Sequence, residues 1–171
     1  MNIGESVDLC AILRAISSRM PNRIEGEVHM QTVRDILKIK GTEVWCVEPN
    51  ATVFEALQRM AEKEVGALVV AQGGQVVGLI SEREYARKVI LQGRASPTTL
   101  VKEIMLSPVV YIHLDQPIQE CMALMTEKRT RHLPVIENGK LAGLISIGDI
   151  VKSTIADQQF IIEQLVRYIS G

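Results

Sequence analysis

Residues 52–86 read TVFEALQRMAEKEVGALVVAQGGQVVGLISEREYA, and residues 117–151 read PIQECMALMTEKRTRHLPVIENGKLAGLISIGDIV. An offset of 65 residues lays one on the other without a gap, and eleven of the 35 pairs are identical. Ordinary composition would give about two. The matches include Gly78-Leu79-Ile80-Ser81 over Gly143-Leu144-Ile145-Ser146, so the stretch is a duplicated structural unit. Two copies related by a pseudo-twofold axis create a shared cleft, and the positions where they disagree show where one copy has been specialised.

Each copy reads as strand, helix, strand, strand, helix. In copy one, Val44 to Val47 is a short apolar strand, and Val53, Ala56, Leu57 and Met60 follow the i, i+3, i+4, i+7 rule of a helix face. Ile118, Cys121, Met122 and Met125 repeat that spacing in copy two. Thr52 with Glu55 forms a capping box, while Asp115 and Pro117 supply a cap and a first-turn proline. Two apolar runs follow: Ala67 to Ala71 and Val76 to Ile80 around Gln72-Gly73-Gly74-Gln75, then Leu133 to Ile136 and Leu141 to Ile145 around Asn138-Gly139. Asn-Gly between apolar runs predicts a hairpin, since both residues tolerate positive φ. A second helix is expected over 82–91 and again over 147–155.

Val33 to Leu37 and Val101 to Met105 are also alike, at a spacing of 68, which places three extra residues near Lys38 to Gly41. The organisation expected is an N-terminal extension over 1–31, repeat one over 32–92, a linker over 93–100, repeat two over 101–156 and a last helix over 157–171. The linker is short, so the halves lie side by side. At 171 residues the chain suits one compact domain with one shared core. Ile161, Ile162, Leu165, Val166 and Ile169 form a stripe on the last helix that needs a partner surface, on this chain or on another copy of it.

Net charge is −1 and the basic residues are scattered, which argues against a nucleic-acid partner. No apolar stretch approaches the 18 or so residues of a membrane span. Cys10, Cys46 and Cys121 fit neither a disulfide framework nor a metal-binding spacing, which points to a reducing compartment. The first 23 residues carry Arg14, Arg19, Arg23 and serines, as a transit peptide would, but Glu5 and Asp8 interrupt the pattern. The cytoplasm is the expected compartment. Met30 could serve as an alternative start.

The joints Ser81-Glu82-Arg83-Glu84 and Ser146-Ile147-Gly148-Asp149 open helices, and two readings stand side by side. Ser81 with Glu84, and Ser146 with Asp149, are capping pairs that satisfy free backbone amides. Alternatively, the helix end and the serine hydroxyl collect a phosphate, and the carboxylate takes two hydrogen bonds from sugar hydroxyls, as acids do in dinucleotide sites. Arg131 and His132 enter a strand, either as a solvated arginine and a satisfied imidazole or as a pair that neutralises phosphate. Their counterparts, Gly66 and Ala67, are small and neutral. Trp45, the only tryptophan, reads as a core or interface anchor. No HxxH, HExxH, nucleophile elbow, Walker loop or GxGxxG is present, which argues against an enzyme.

The endings Gly-Leu-Ile-Ser-x-x-Glu and Gly-Leu-Ile-Ser-x-x-Asp, the entry Arg131-His132-Leu133-Pro134-Val135 and the tandem βαββα order resemble a pair of CBS domains, the Bateman module. The resemblance covers residues 32–155. The runs around Ser81 to Lys88 and Cys121 to Lys128 are similar to the small stand-alone CBS-pair proteins. It implies an α/β (α+β) fold of two CBS repeats, and a non-catalytic regulatory module binding AMP, ADP, ATP, NAD(H) or S-adenosylmethionine, with no metal. By position it makes Ser146 and Asp149 the phosphate-side hydroxyl and the ribose acid. Ser81 matches the hydroxyl, but Glu84, one methylene longer, stands where the acid is commonly Asp, which makes copy two the better site. Thr42, Val44, Ser107 and Val109 become candidates for the wall around the base, although the two valines also read as core.

Two functions are expected to compete. In the first, an adenine nucleotide bridges the copies, with phosphates near Arg131 and His132 and ribose on Asp149, and shifts the arrangement of a homodimer by its difference in affinity for two states. A regulated protein partner would read that change. In the second, the cleft is vestigial and the chain is a structural or protein-interaction module.

Overall fold

The computed structural model describes residues 31–170, so the expectations for the N-terminal extension, the transit pattern, Cys10 and Met30 lie outside the described residues. The elements are α1 (Val33–Lys40), β1 (Cys46–Val47), α2 (Val53–Glu62), β2 (Ala67–Gln72), β3 (Gln75–Ser81), α3 (Glu82–Lys88), a 3-10 turn (Ile90–Gln92), α4 (Val101–Ile104), α5 (Ile118–Glu127), β4 (His132–Glu137), β5 (Lys140–Ser146) and α6 (Ile147–Ser170). This is the mixed helix and strand architecture of two βαββα units that the duplication predicts.

Both hairpins form in the same register. Ala67 pairs with Ser81 and Gln72 with Gln75, while His132 pairs with Ser146 and Glu137 with Lys140. Even the irregularity is duplicated, since the register shifts between Val70 and Ala71 and again between Val135 and Ile136. The turns are made by residues with positive φ, Gly73 (57°) and Gly74 (80°) in one copy, Asn138 (50°) and Gly139 (74°) in the other.

The first strand departs from expectation in both copies. In copy one it is only Cys46–Val47, parallel to β2. In copy two it shrinks to one parallel bridge, Ile112 to Val135. The cause is Pro134. In copy one the Val69 amide donates to the Trp45 carbonyl at 3.1 Å, whereas the equivalent residue of β4 is a proline with no N–H to give. The sheets therefore have three strands and two.

The caps are uneven as well. Thr52 and Glu55 form the expected capping box. Asp115 does not cap α5; Pro117 occupies that position and Asp115 binds Arg34 at 2.9 Å instead. No side-chain cap is needed, because the first amide of α5, from Ile118, donates to the Gln31 carbonyl at 3.0 Å. The same device recurs where the Val53 amide donates to Thr99 at 2.9 Å.

Those two bonds betray the main departure from the expected single core. There are two buried clusters, and the lead-in helices are exchanged between them. Val33, Ile36 and Leu37 of α1 pack with Ile118, Leu133, Ile145 and Ile150 of copy two. Val101 and Ile104 of α4 pack with Val53, Leu68, Val70 and Ile80 of copy one. Gly78 and Gly143 mark the crossings: a Cβ would lie 2.5 Å from the Met105 sulfur at Gly78 and 2.6 Å from Leu37 Cδ1 at Gly143. Each repeat thus completes its core with the other's helix.

At the C-terminus the two expected helices are one. α6 runs for 24 residues without a break at 156, because Ala156 and its neighbours contain neither glycine nor proline to stop it. α3, by contrast, ends at Lys88, earlier than expected, and passes into the 3-10 turn.

Candidate ligand-binding clefts at the junction of the repeats

The hairpin register places the residue that enters each inner strand opposite the serine that opens each following helix. His132 faces Ser146, and Ala67 faces Ser81. At the β5–α6 joint the Ser146 amide and hydroxyl both donate to Asp149 Oδ2 at 2.7 Å, and the Asp149 amide returns to the Ser146 hydroxyl at 3.2 Å. That is a reciprocal capping box. At the β3–α3 joint the Ser81 hydroxyl donates to Glu84. Both side chains there are buried, at 7% and 8% exposure, so the longer acid folds back into the cleft wall.

Asp149 has a further partner. Lys40, at the end of α1, reaches it at 2.6 Å. Burial pushes the Asp149 carboxyl up, but hydrogen bonds from Lys40 and from the Ser146 hydroxyl and amide, with the lysine charge, outweigh it and hold the group below its ordinary value. For His132, burial and then the Lys40 charge push the imidazolium below its ordinary value, with Arg131 adding to the effect and Asp149 and Glu84 opposing it. The ring is therefore disposed to be neutral at neutral pH.

Six of the ten expected site residues come together. Ser81, Glu84, Arg131 and His132 line a cavity of about 90 Å³ at the junction. Ser107, Val109 and His132, with Leu79 and Leu106, line a neighbour of about 200 Å³. The two share Leu106, Thr130 and His132. Although His132 pairs with Ser146 and feels the Asp149 charge, Asp149 lines a different cavity, with Lys40. The reason is the exchange of helices: each lead-in helix delivers its following segment to the other repeat's joint. Thr42 is exposed and Val44 half-buried, and neither lines these cavities. Trp45 packs against the first core with the Lys63 ammonium 4.2 Å from its ring centroid, as an anchor would.

Arg83, Leu106, Arg129 and Thr130 were not singled out from the chain. Arg83 ties the repeats, donating from Nη1 to the Arg129 carbonyl at 2.9 Å. Its only signal was a basic side chain inside the Ser81–Glu84 joint. Among the described residues no group of three or more His, Cys, Asp or Glu is placed to hold a metal ion, and no helix is long and apolar enough to cross a membrane. Burial, with the Glu120 charge, pushes the Cys121 thiol up to about 11, which marks an inert core thiol.

Two interlocked βαββα units, each with a hydroxyl–carboxylate joint where its last strand enters a helix, define a paired-repeat module. The CBS domain model matches residues 33–90 and 101–155, and the chain belongs to the CBS-domain family. It is similar to the mitochondrial CBS domain-containing protein CBSX3 of Arabidopsis thaliana, 35% identical over 165 residues, or 90% of this chain and 80% of that one. Among solved structures, it resembles a putative signal-transduction protein with CBS domains from Burkholderia ambifaria, 53% identical with a TM-score of 0.72, over 75% of this chain and 96% of that one. A CBS-domain pair solved in complex with 5-methylthioadenosine and S-adenosyl-L-methionine shares the fold at 22% identity, with a TM-score of 0.67 over 75% of this chain and 98% of that one.

Proposed function

We propose that the chain is a non-catalytic regulatory module that senses an adenine nucleotide in the cleft at the junction of its repeats. The carrying observation is that Ser81, Glu84, Arg131, His132, Ser107 and Val109, drawn from both copies, line two adjoining cavities. The residues suit the ligand. Leu79, Leu106 and Val109 offer apolar surface to a base, Glu84 can accept from the two ribose hydroxyls, and the planar fork of Arg131 suits phosphate. A bound nucleotide would join the repeats and favour one of their arrangements, acting only through its difference in affinity for the two.

The cleft of Asp149 reads differently. There the ribose acid is already held by Lys40 and Ser146, which favours a structural contact over a second ligand site. We therefore read the alternative, a vestigial cleft, on the Asp149 side of the module. The homodimer expected of the chain rests on α6, and the cytoplasm is the compartment proposed; a fluorescent fusion of the full chain tests the latter.

Thermal unfolding with AMP, ADP, ATP, NAD, NADH and S-adenosylmethionine tests the reading. A ligand at 100 times its Kd stabilises the native state by about 2.7 kcal/mol, and at least one adenylate is expected to raise the Tm. No shift with any of them at millimolar concentration would sink it. Glu84→Gln is expected to weaken the ligand more than Asp149→Asn, and the opposite order would move the site to the other cleft.

A further inference from the structure

A third cavity, of about 280 Å³, opens off the proposed cleft, lined by Arg83, Arg129, Arg131 and Thr130. It shares all four residues with the cavity at Ser81 and Glu84. Arg83 comes from the first turn of α3, and Arg129 from the tip of the α5–β4 loop, where its φ is 52°. Among the described residues, none of the three arginines takes part in an ion pair. Two carboxylates stand in the adjoining cavity rather than in this one: Glu84 accepts from Ser81, and Glu82 lies against Gly66, its Oε2 3.4 Å from where a Cβ would sit. Three guanidinium groups are therefore gathered around one basin whose own lining, among the described residues, holds no carboxylate.

The three adjoining cavities differ in lining: Leu79, Leu106 and Val109 give one its apolar surface beside Ser107 and Lys128, Ser81 and Glu84 bring a hydroxyl and a carboxylate to the next, and Arg83, Arg129 and Arg131 line both that cavity and the third. That is the polarity of a base, a sugar and an anion longer than one phosphate. We propose that this trough selects a nucleoside triphosphate over the monophosphate, with the phosphate chain carried by Arg83, Arg129 and Arg131. The proposal rests on the nucleotide-sensing reading above and adds the ligand's class to it. Each arginine can hold phosphate oxygens through two parallel N–H donors. A single phosphate cannot use three such forks at once, and an uncharged thioadenosine uses none.

Isothermal titration of the full chain with ATP, AMP and inorganic tripolyphosphate, at fixed ionic strength and without divalent cations, tests it. ATP is expected to bind at least about tenfold tighter than AMP, since one charge-assisted contact is worth about that factor. Tripolyphosphate is expected to bind and to compete with ATP. Arg129→Asn keeps a residue that tolerates the left-handed backbone; it should weaken ATP and tripolyphosphate about tenfold and AMP less than about twofold. Arg83→Lys, which retains a donor for the Arg129 carbonyl, should act in the same direction. ATP and AMP binding equally, Arg129→Asn weakening both alike, or tripolyphosphate failing to bind would each overturn the proposal. Equal binding leaves the adenylate reading standing, whereas Arg129-dependent binding of tripolyphosphate with no response to any adenylate preserves the basin and removes that reading.

Discussion

Pro134 sets how far the second sheet extends, through a single missing donor. Its neighbour His132 shows a different effect of position: half-buried between Lys40, Arg131, Asp149 and Glu84, it loses more from burial than its acidic neighbours return. The folded chain therefore binds fewer protons at this ring than the unfolded chain, whose value is about 6.5. The associated stability is complete above about pH 6.5 and is lost as pH falls through the lower folded-state value. His132→Gln should flatten the fall in Tm between pH 7 and pH 5; an unchanged slope would place the acid sensitivity elsewhere. Asp35 works with the same sign further down, since hydrogen bonds from the Thr32 hydroxyl and amide hold its carboxyl down to about 2.

Among the elements, the duplicated strand β3 or β5 and the lead-in helix that crosses it are the critical pair. Glycine in the shared Gly-Leu-Ile-Ser run reads at first as part of a strand-to-helix signature, and its repetition was plain from the chain. Its cause was not. Gly78 admits Met105 and the Leu106 carbonyl, which would be 2.5 and 3.2 Å from a Cβ, and Gly143 admits Leu37. Gly78→Ala must displace backbone as well as a flexible thioether, so it should cost about 1–3 kcal/mol. Gly143→Ala meets only side-chain methyls and should cost less. Urea denaturation of both variants measures the order, and equal losses would mean that Leu106 gives way freely. The hairpins and the box at Thr52 were legible because their chemistry lies within four residues. The absent cap at Asp115 was not, because Gln31, on a segment 87 positions away in the chain, supplies the partner.

At the scale of the whole molecule, α6 is exposed from Ile155 onward among the described residues. Past the body it presents Ile155, Ile162 and Ile169 at one heptad position and Val151, Gln158 and Leu165 at another, and Ile162 and Ile169 are 59% and 81% exposed. β-Branched residues fill the first position and Leu165 closes the second, an apolar stripe of the kind two helices bury against each other. The homodimer proposed for the chain would bury this stripe. Ile162→Asn should shift the chain from dimer toward monomer in sedimentation equilibrium while leaving the Tm of the repeats within a few degrees. A dimer that persists unchanged would assign the interface to another face.

Local order and near-neighbour pairing were determined by the sequence alone: the duplication, the hairpins with their Gly-Gly and Asn-Gly turns, the amphipathic helices and the family. Each of these is written in periodicity or turn chemistry over a few residues, which short-range sterics and hydrogen bonding enforce. Tertiary structure decided which parts of the two copies meet. A helix buries its apolar face wherever a complementary surface lies, and nothing in the face of α1 or α4 names the repeat it will join. That exchange brings Ser107, Val109, Arg131 and His132 to the joint of Ser81 and Glu84 and leaves Asp149 to Lys40. It also gathers Arg83 and Arg129, 46 residues apart, into one basin. The ten candidate residues could be picked out of the chain, but their sorting into clefts is a property of the packing.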